Sequence, residues 1–244
     1  GAAAPRAYAQ GSLTLWGSGA ATFAGTFSSV ATGEDHIVAI RTDGADELVI
    51  IDPSTGAVSP LDVGLTSGAS IEDAMAGRVL ITGASVAGGP GLWVVDVDDP
   101  SAVAGVTGGT LPWAPEWIPT PRAVTYDGPH GPVHAFDYPP THPDASAPSG
   151  DLPPYVVLVH GGPTAHVGPA ASGKIAFLTS RGIGVLDVNY GGSSGYGRAY
   201  RERLLGQWGV VDVDDVAAAA RGLAASGAAD PARIAIAGGS AGGW

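Results

Sequence analysis

Ser240 stands in Gly238-Gly239-Ser240-Ala241-Gly242-Gly243, directly after the apolar run Ile234-Ala235-Ile236-Ala237. A serine in a G-x-S-x-G setting at the end of a strand is the pattern of a nucleophile elbow. The chemistry it serves is acyl transfer. A sharp strand-to-helix turn lifts the hydroxyl clear of the backbone, and glycines flank it because side chains would clash in so tight a turn. The plainer reading of an isolated match is a Gly-rich turn whose serine caps the next helix. The strand immediately upstream favours the nucleophile. Acyl transfer also needs two N–H donors aimed at the oxygen that turns negative. One is the N–H of the residue after the nucleophile, Ala241. The other is the N–H of Gly161 or Gly162 in His160-Gly161-Gly162-Pro163, where glycine lets the backbone come close to a substrate.

Strands must hold these groups in place. Tyr155-Val156-Val157-Leu158-Val159 is apolar throughout, as expected of a central strand buried on both faces. Residues 183–188 and 233–237 have the same character. Between them, residues 175–181 and 212–226 read as helices. The second has acidic residues in its first turn and Val213, Val216, Ala220 and Leu223 along one face. Strands alternating with helices imply a parallel α/β sheet. With the elbow at a strand end, the expected fold is the N-terminal part of an α/β-hydrolase, as far as the nucleophile. Upstream, Ala123-Val124-Thr125-Tyr126 and Val133-His134-Ala135-Phe136-Asp137-Tyr138 predict a hairpin, and residues 112–122 a linker.

The first 120 residues follow another rule. Leu48-Val49-Ile50-Ile51-Asp52 returns 44 residues later as Leu92-Trp93-Val94-Val95-Asp96. Turn residues follow each run, Pro53-Ser54-Thr55-Gly56 and Asp98-Asp99-Pro100-Ser101. His36-Ile37-Val38-Ala39-Ile40 and Arg78-Val79-Leu80-Ile81-Thr82 lie upstream, 42 residues apart. A period in the low forties with about four strands per unit is the signature of a β-propeller blade, which cannot bury its faces without neighbours around a ring. About two and a half such blades fit here. The expectation is therefore the last blades of a β-propeller in residues 1–120, followed by the hydrolase part in 121–244. A β-sandwich with accidental spacing is the alternative.

Composition narrows the function. The net charge is −12, so nucleic acid and anionic membrane surfaces are poor partners. Residues 1–125 hold 4 basic and 13 acidic residues, net −9, read as a solvated acidic surface. No apolar run approaches the roughly 20 residues of a membrane span. Cysteine is absent, which excludes disulfides, thiolate metal sites and a cysteine nucleophile, and leans towards a cytoplasmic location. No metal or cofactor is implied.

Taken in order, the motifs resemble the prolyl oligopeptidase family of serine peptidases, in its acylaminoacyl-peptidase and aminopeptidase-like branch. They are Tyr126-Asp127-Gly128, His160-Gly161-Gly162-Pro163, Asn189-Tyr190-Gly191-Gly192-Ser193-Ser194-Gly195-Tyr196-Gly197, Trp208-Gly209, Asp212-Val213-Asp214-Asp215-Val216, Asp230-Pro231-Ala232-Arg233-Ile234 and Gly239-Ser240-Ala241-Gly242-Gly243. The resemblance covers roughly residues 123–244. It implies a propeller ahead of the hydrolase part, and short peptides or aminoacyl amides as substrates. One departure is Gly191, where the family commonly has arginine.

A serine hydrolase needs a histidine base and a carboxylate to orient it, and in this fold both follow the serine. All six histidines (36, 130, 134, 142, 160 and 166) precede Ser240. His160 is expected to shape the oxyanion loop, His166 to be an exposed loop residue, and Asp212, Asp214 and Asp215 to start a helix. The expectation is a fragment lacking further blades at the front and the triad Asp and His at the back, inactive alone. A carboxylesterase, or a non-catalytic propeller interaction protein, are the alternatives to a serine peptidase.

Overall fold

The computed structural model describes residues 37–99 and 101–244, together with the backbone of four strands within the first 32 residues. His36 and Pro100, expected in a strand and a turn, lie outside the described residues. The chain divides into two compact units. One is residues 1–110 with 195–198, the other 111–194 with 199–244.

The first unit is built of antiparallel sheets. Strands β1 (Tyr8–Ala9), β2 (Ser12–Leu15) and β3 (Ala21–Ala24) form a three-stranded sheet. Strands β4 (Thr26–Thr32), β5 (Ile37–Asp43), β6 (Ala45–Ile51) and β7 (Val58–Pro60) pair in chain order as a four-stranded meander. Strands β8 (Ser67–Met75), β9 (Arg78–Ala84), β10 (Gly91–Asp96) and β11 (Val103–Gly108) repeat that arrangement. The 44-residue spacing thus links β6 to β10, each the third strand of its sheet, and the 42-residue spacing links β5 to β9, each the second.

The repeat extends to hydrogen bonds. Asp52 Oδ1 accepts the Ser54 N–H at 2.7 Å, and Asp96 Oδ1 accepts the Asp98 N–H at 3.0 Å, so equivalent aspartates close equivalent turns. The Ser54 hydroxyl, which donates to Asp52 Oδ1 at 2.7 Å, and then Thr55 and the Ser54 N–H hold the exposed Asp52 carboxyl down at about 2. Val38, Ile40 and Leu48 from one meander join Val79, Ile81 and Val95 from the other in a single buried cluster. Neither sheet covers this face alone, and each side chain buried there contributes roughly 1.5–3 kcal/mol.

The second unit carries a five-stranded sheet. Strands β12 (Arg122–Gly128) and β13 (Gly131–Tyr138) form the expected hairpin. The chain continues through β14 (Tyr155–Val159), α1 (Gly173–Thr179), β15 (Gly184–Asn189), α2 (Gly197–Glu202), α3 (Val211–Ala225) and β16 (Ile234–Gly238). The sheet order is β12-β13-β15-β14-β16, with β14 parallel to both β15 and β16. Both faces are covered around β14 and β15, which accounts for their apolar runs. Residues 233–237, expected to be equally buried, differ: β16 lies at the edge of the sheet and Ile236 is 66% exposed. Val133, Val157, Leu186 and Val188 pack with Val216, Ala219 and Leu223 of α3, while Phe136, Tyr138 and Val185 pack with Ile175 of α1.

One face assignment differs from expectation. Val213 is 58% exposed, and the buried stripe of α3 runs instead through Val211, Asp215, Val216, Ala219 and Leu223. Val213 still shares a side with Val216 and Ala220, lining an apolar cavity with Val157 and Ile236, while the buried carboxylate Asp215 sits within the packed stripe.

Candidate active site

Register brings the two motifs together. The last pair of the parallel β14–β16 ladder is Val159 with Gly238, so His160-Gly161-Gly162 and Gly239-Ser240 leave adjacent strands at the same level. The chain then turns sharply. Ser240 has φ +53°, one of two non-glycine residues with positive φ among those described, and it opens a short 3-10 turn over Ser240–Gly243. Such a conformation costs roughly 1–3 kcal/mol and persists only where the surroundings enforce it.

The glycines do the enforcing. A Cβ on Gly238 would collide with the Gly242 carbonyl, and a Cβ on Gly242 with the Val159 carbonyl. Gly239, by contrast, has extended backbone and nothing within 4 Å of where a Cβ would stand. The pattern therefore demands glycine at 238 and 242, where backbones touch, and not at 239.

Gly161 lies against the serine. A methyl group there would stand 3.0 Å from Ser240 Cβ, 3.0 Å from the Gly239 carbonyl oxygen and 3.7 Å from Ser240 Oγ. Gly162 has φ +122°, a conformation that side chains resist. Among the described residues, no acceptor takes the N–H of Gly161, Gly162 or Ala241.

The loop carrying these glycines is held from β15 onward. His160 Nδ1–H donates to the Gly161 carbonyl at 2.8 Å, because a carbonyl can only accept. The Ser193 hydroxyl sits between His160 Nε2 at 2.8 Å and the Tyr190 carbonyl at 2.7 Å. Burial lowers the His160 pKa, which favours the neutral ring. With Nδ1 protonated, the one Ser193 hydroxyl proton serves either Nε2 or the Tyr190 carbonyl, not both at once. Tyr190 stacks on the imidazole and donates its hydroxyl to the His160 carbonyl at 3.0 Å. Burial, with Asp212 nearby, pushes that phenol up to about 12, so it stays a donor.

Further along the loop, the buried Asn189 accepts the Val167 N–H at 2.8 Å and donates to the Val167 carbonyl at 2.9 Å. The Ser194 N–H donates to the Ala165 carbonyl at 2.9 Å. His166, expected as an exposed loop residue, is half-buried, with Nδ1 3.1 Å from Ser194 Oγ.

The remaining described histidines are engaged elsewhere. His130 Nε2 meets Asp214 at 2.9 Å, His134 Nδ1 meets Thr125 Oγ1 at 3.0 Å, and His142 Nδ1 accepts the Asp144 N–H at 3.1 Å. No histidine or carboxylate among the described residues bonds to Ser240 Oγ. No cluster of three metal-ligating side chains occurs among the described residues either.

Sequence reasoning missed Asp215. It reads as a helix-start acid, yet it is fully buried and takes the Gly191 N–H at 2.8 Å. Burial raises its pKa, while the Gly191 N–H, His130 and Arg203 pull it down. The glycine at 191 has a steric reason. A Cβ there would stand 2.7 Å from Val211 Cγ1, 2.9 Å from Asp215 Oδ2 and 3.3 Å from Arg203 Cδ, so Arg203 already occupies the neighbourhood an arginine at 191 would enter.

Residues 169–244 match the prolyl oligopeptidase family. Over 91 residues the chain is 40% identical to acylamino-acid-releasing enzyme 1 of Oryza sativa subsp. japonica, a stretch that is 37% of this chain and 12% of that enzyme. A crystal structure of puromycin hydrolase is similar over 91% of this chain and 35% of its own, with TM-score 0.82 and 41% identity. A puromycin-hydrolyzing peptidase of Mycobacterium tuberculosis is similar over 88% of this chain and 34% of its own, with TM-score 0.81 and 45% identity. The chain thus spans about a third of the length of these solved relatives.

Proposed function

We propose that the protein is a serine peptidase that hydrolyses short peptides or aminoacyl amides through an acyl-enzyme on Ser240. The observation that carries this reading is Ser240 held at φ +53° with Gly161 packed against it. Ser240 Oγ attacks the carbonyl carbon, and the N–H of Ala241 with that of Gly161 or Gly162 receives the tetrahedral oxyanion. Of the two glycines, Gly162 suits better. Its N–H belongs to the same trans peptide as the Gly161 carbonyl and points the opposite way, and that carbonyl is tied to His160. The base that takes the serine proton comes from outside the described residues, whose histidines are committed elsewhere.

In this reading the two four-stranded meanders are blades of a β-propeller within residues 1–120, and residues 121–244 form part of an α/β-hydrolase domain. Relatives named for puromycin hydrolysis and for releasing acylamino acids support an amide substrate. No described helix is long and apolar enough to cross a membrane, and with no cysteine in the chain we place the protein in the cytoplasm. The test compares aminoacyl anilides with short acyl esters, using the full-length protein. Turnover of anilides supports the peptidase, and turnover of esters alone makes it a carboxylesterase.

A further inference from the structure

We propose that Asp215 is a positioning residue for the oxyanion loop, acting through the N–H of Gly191. The proposal rests on the serine-peptidase reading above and adds a residue that touches no substrate.

Asp215 lies on α3 with no exposed surface, among apolar side chains that cover the sheet. Its Oδ2 accepts the Gly191 N–H at 2.8 Å, and its Oδ1 is buried without a hydrogen-bond partner among the described residues. An orphaned buried polar atom is destabilising, a cost that an apolar side chain at this position would avoid. The space is fitted to the carboxylate all the same. A Cβ on Gly128 would stand 3.2 Å from Oδ1, and one on Gly191 2.9 Å from Oδ2. Gly191 is not among the glycines with positive φ, so close approach, not backbone conformation, explains its identity.

Gly191 sits in the turn that grips His160. Tyr190, on one side, stacks on the imidazole and bonds the His160 carbonyl, and Ser193, two residues beyond, bonds Nε2. His160 in turn fixes the Gly161 carbonyl and hence the direction of the Gly162 N–H. The turn meets His160 at three points and is anchored to α3 through Asp215. Without that anchor the turn can shift, and the donor leaves the position the oxyanion needs.

The experiment uses the full-length enzyme, with kcat expressed per fluorophosphonate-titrated site. Asp215→Leu is expected to lower kcat about tenfold with KM within about twofold, the signature of a lost transition-state interaction. Asp215→Asn keeps an oxygen for the Gly191 N–H and is expected to stay within about threefold of the parent. Gly191→Ala, which wedges the same contact from its other side, is expected to match Asp215→Leu. A general structural role would lower the melting temperature without lowering kcat per titrated site. An unchanged kcat in Asp215→Leu, or an Asn variant as impaired as Leu, overturns the proposal. If Asp215→Leu does not fold, Gly191→Ala decides alone, and an unchanged kcat there overturns it. Turnover persisting in Ser240→Ala would instead strike at the serine-peptidase reading.

Discussion

The rings of His160 and Tyr190 lie nearly parallel, 4.5 Å between centroids and 16° between planes, and the Tyr190 hydroxyl donates to the His160 carbonyl at 3.0 Å. One tyrosine therefore fixes both the ring and the backbone of the residue that precedes the two loop glycines. Tyr190→Phe keeps the stack and loses one hydrogen bond of about 1 kcal/mol, so kcat/KM is expected to fall about fivefold. Tyr190→Leu loses the stack as well and is expected to fall further. Steady-state kinetics on an aminoacyl anilide check the order, and a phenylalanine variant worse than leucine would contradict it.

The elbow glycines give a stability contrast within one motif. Gly242→Ala forces a methyl group into the Val159 carbonyl, whereas Gly239→Ala meets open space at extended backbone. The first is expected to destabilise by about 3 kcal/mol or more and the second to stay within about 0.5 kcal/mol. Denaturant midpoints measure both. Equal losses would mean that the turn adapts in a way the backbone contacts do not allow.

Asp187 gives a pH prediction. It lies in the middle of β15, beside Phe136 of β13 and Leu158 of β14. Burial pushes its carboxyl up from 3.8 to about 7, with Lys174 pulling it back. Below about pH 4 the group is protonated in both folded and unfolded chains and contributes nothing. Between pH 4 and 7 the folded state keeps a proton that the unfolded state releases, so stability falls as pH rises, and the loss is complete above about pH 7. Asp187→Asn removes this penalty. It is expected to melt roughly a few degrees above the parent at pH 8 and alongside it at pH 4. A parent that melts higher than the variant at pH 8 would show that the carboxylate is stabilised after all.

Much of the local structure around Ser240 was legible because its signals are local. An apolar run entering Gly238-Gly239-Ser240-Ala241-Gly242 specifies a strand and a tight turn without reference to the rest of the chain, and β16 with its positive-φ serine stands there. The spacing from Leu48 to Leu92 marked equivalent strands for the same reason, since each turn is closed by its own aspartate. Asp215 was not legible. Its partner is 24 residues earlier in sequence, and an acid near a helix start has an adequate local explanation in the helix dipole. Val213 shares a side with Val216 and Ala220 as its register says, lining an apolar cavity with Val157 and Ile236, and it is exposed because register does not tell how far that side is covered. The seat of His166 depends on Ser194, brought near by the pairing of Asn189 with Val167 and by the Ser194 N–H on the Ala165 carbonyl.

The central claim is that Ser240 is the nucleophile. The direct measurement is covalent labelling of the full-length protein by a fluorophosphonate, alongside turnover of an aminoacyl anilide, in the parent and in Ser240→Ala. The account predicts stoichiometric labelling and turnover in the parent, and the loss of both in the variant with its melting temperature unchanged. Labelling or turnover that survives in Ser240→Ala would contradict it.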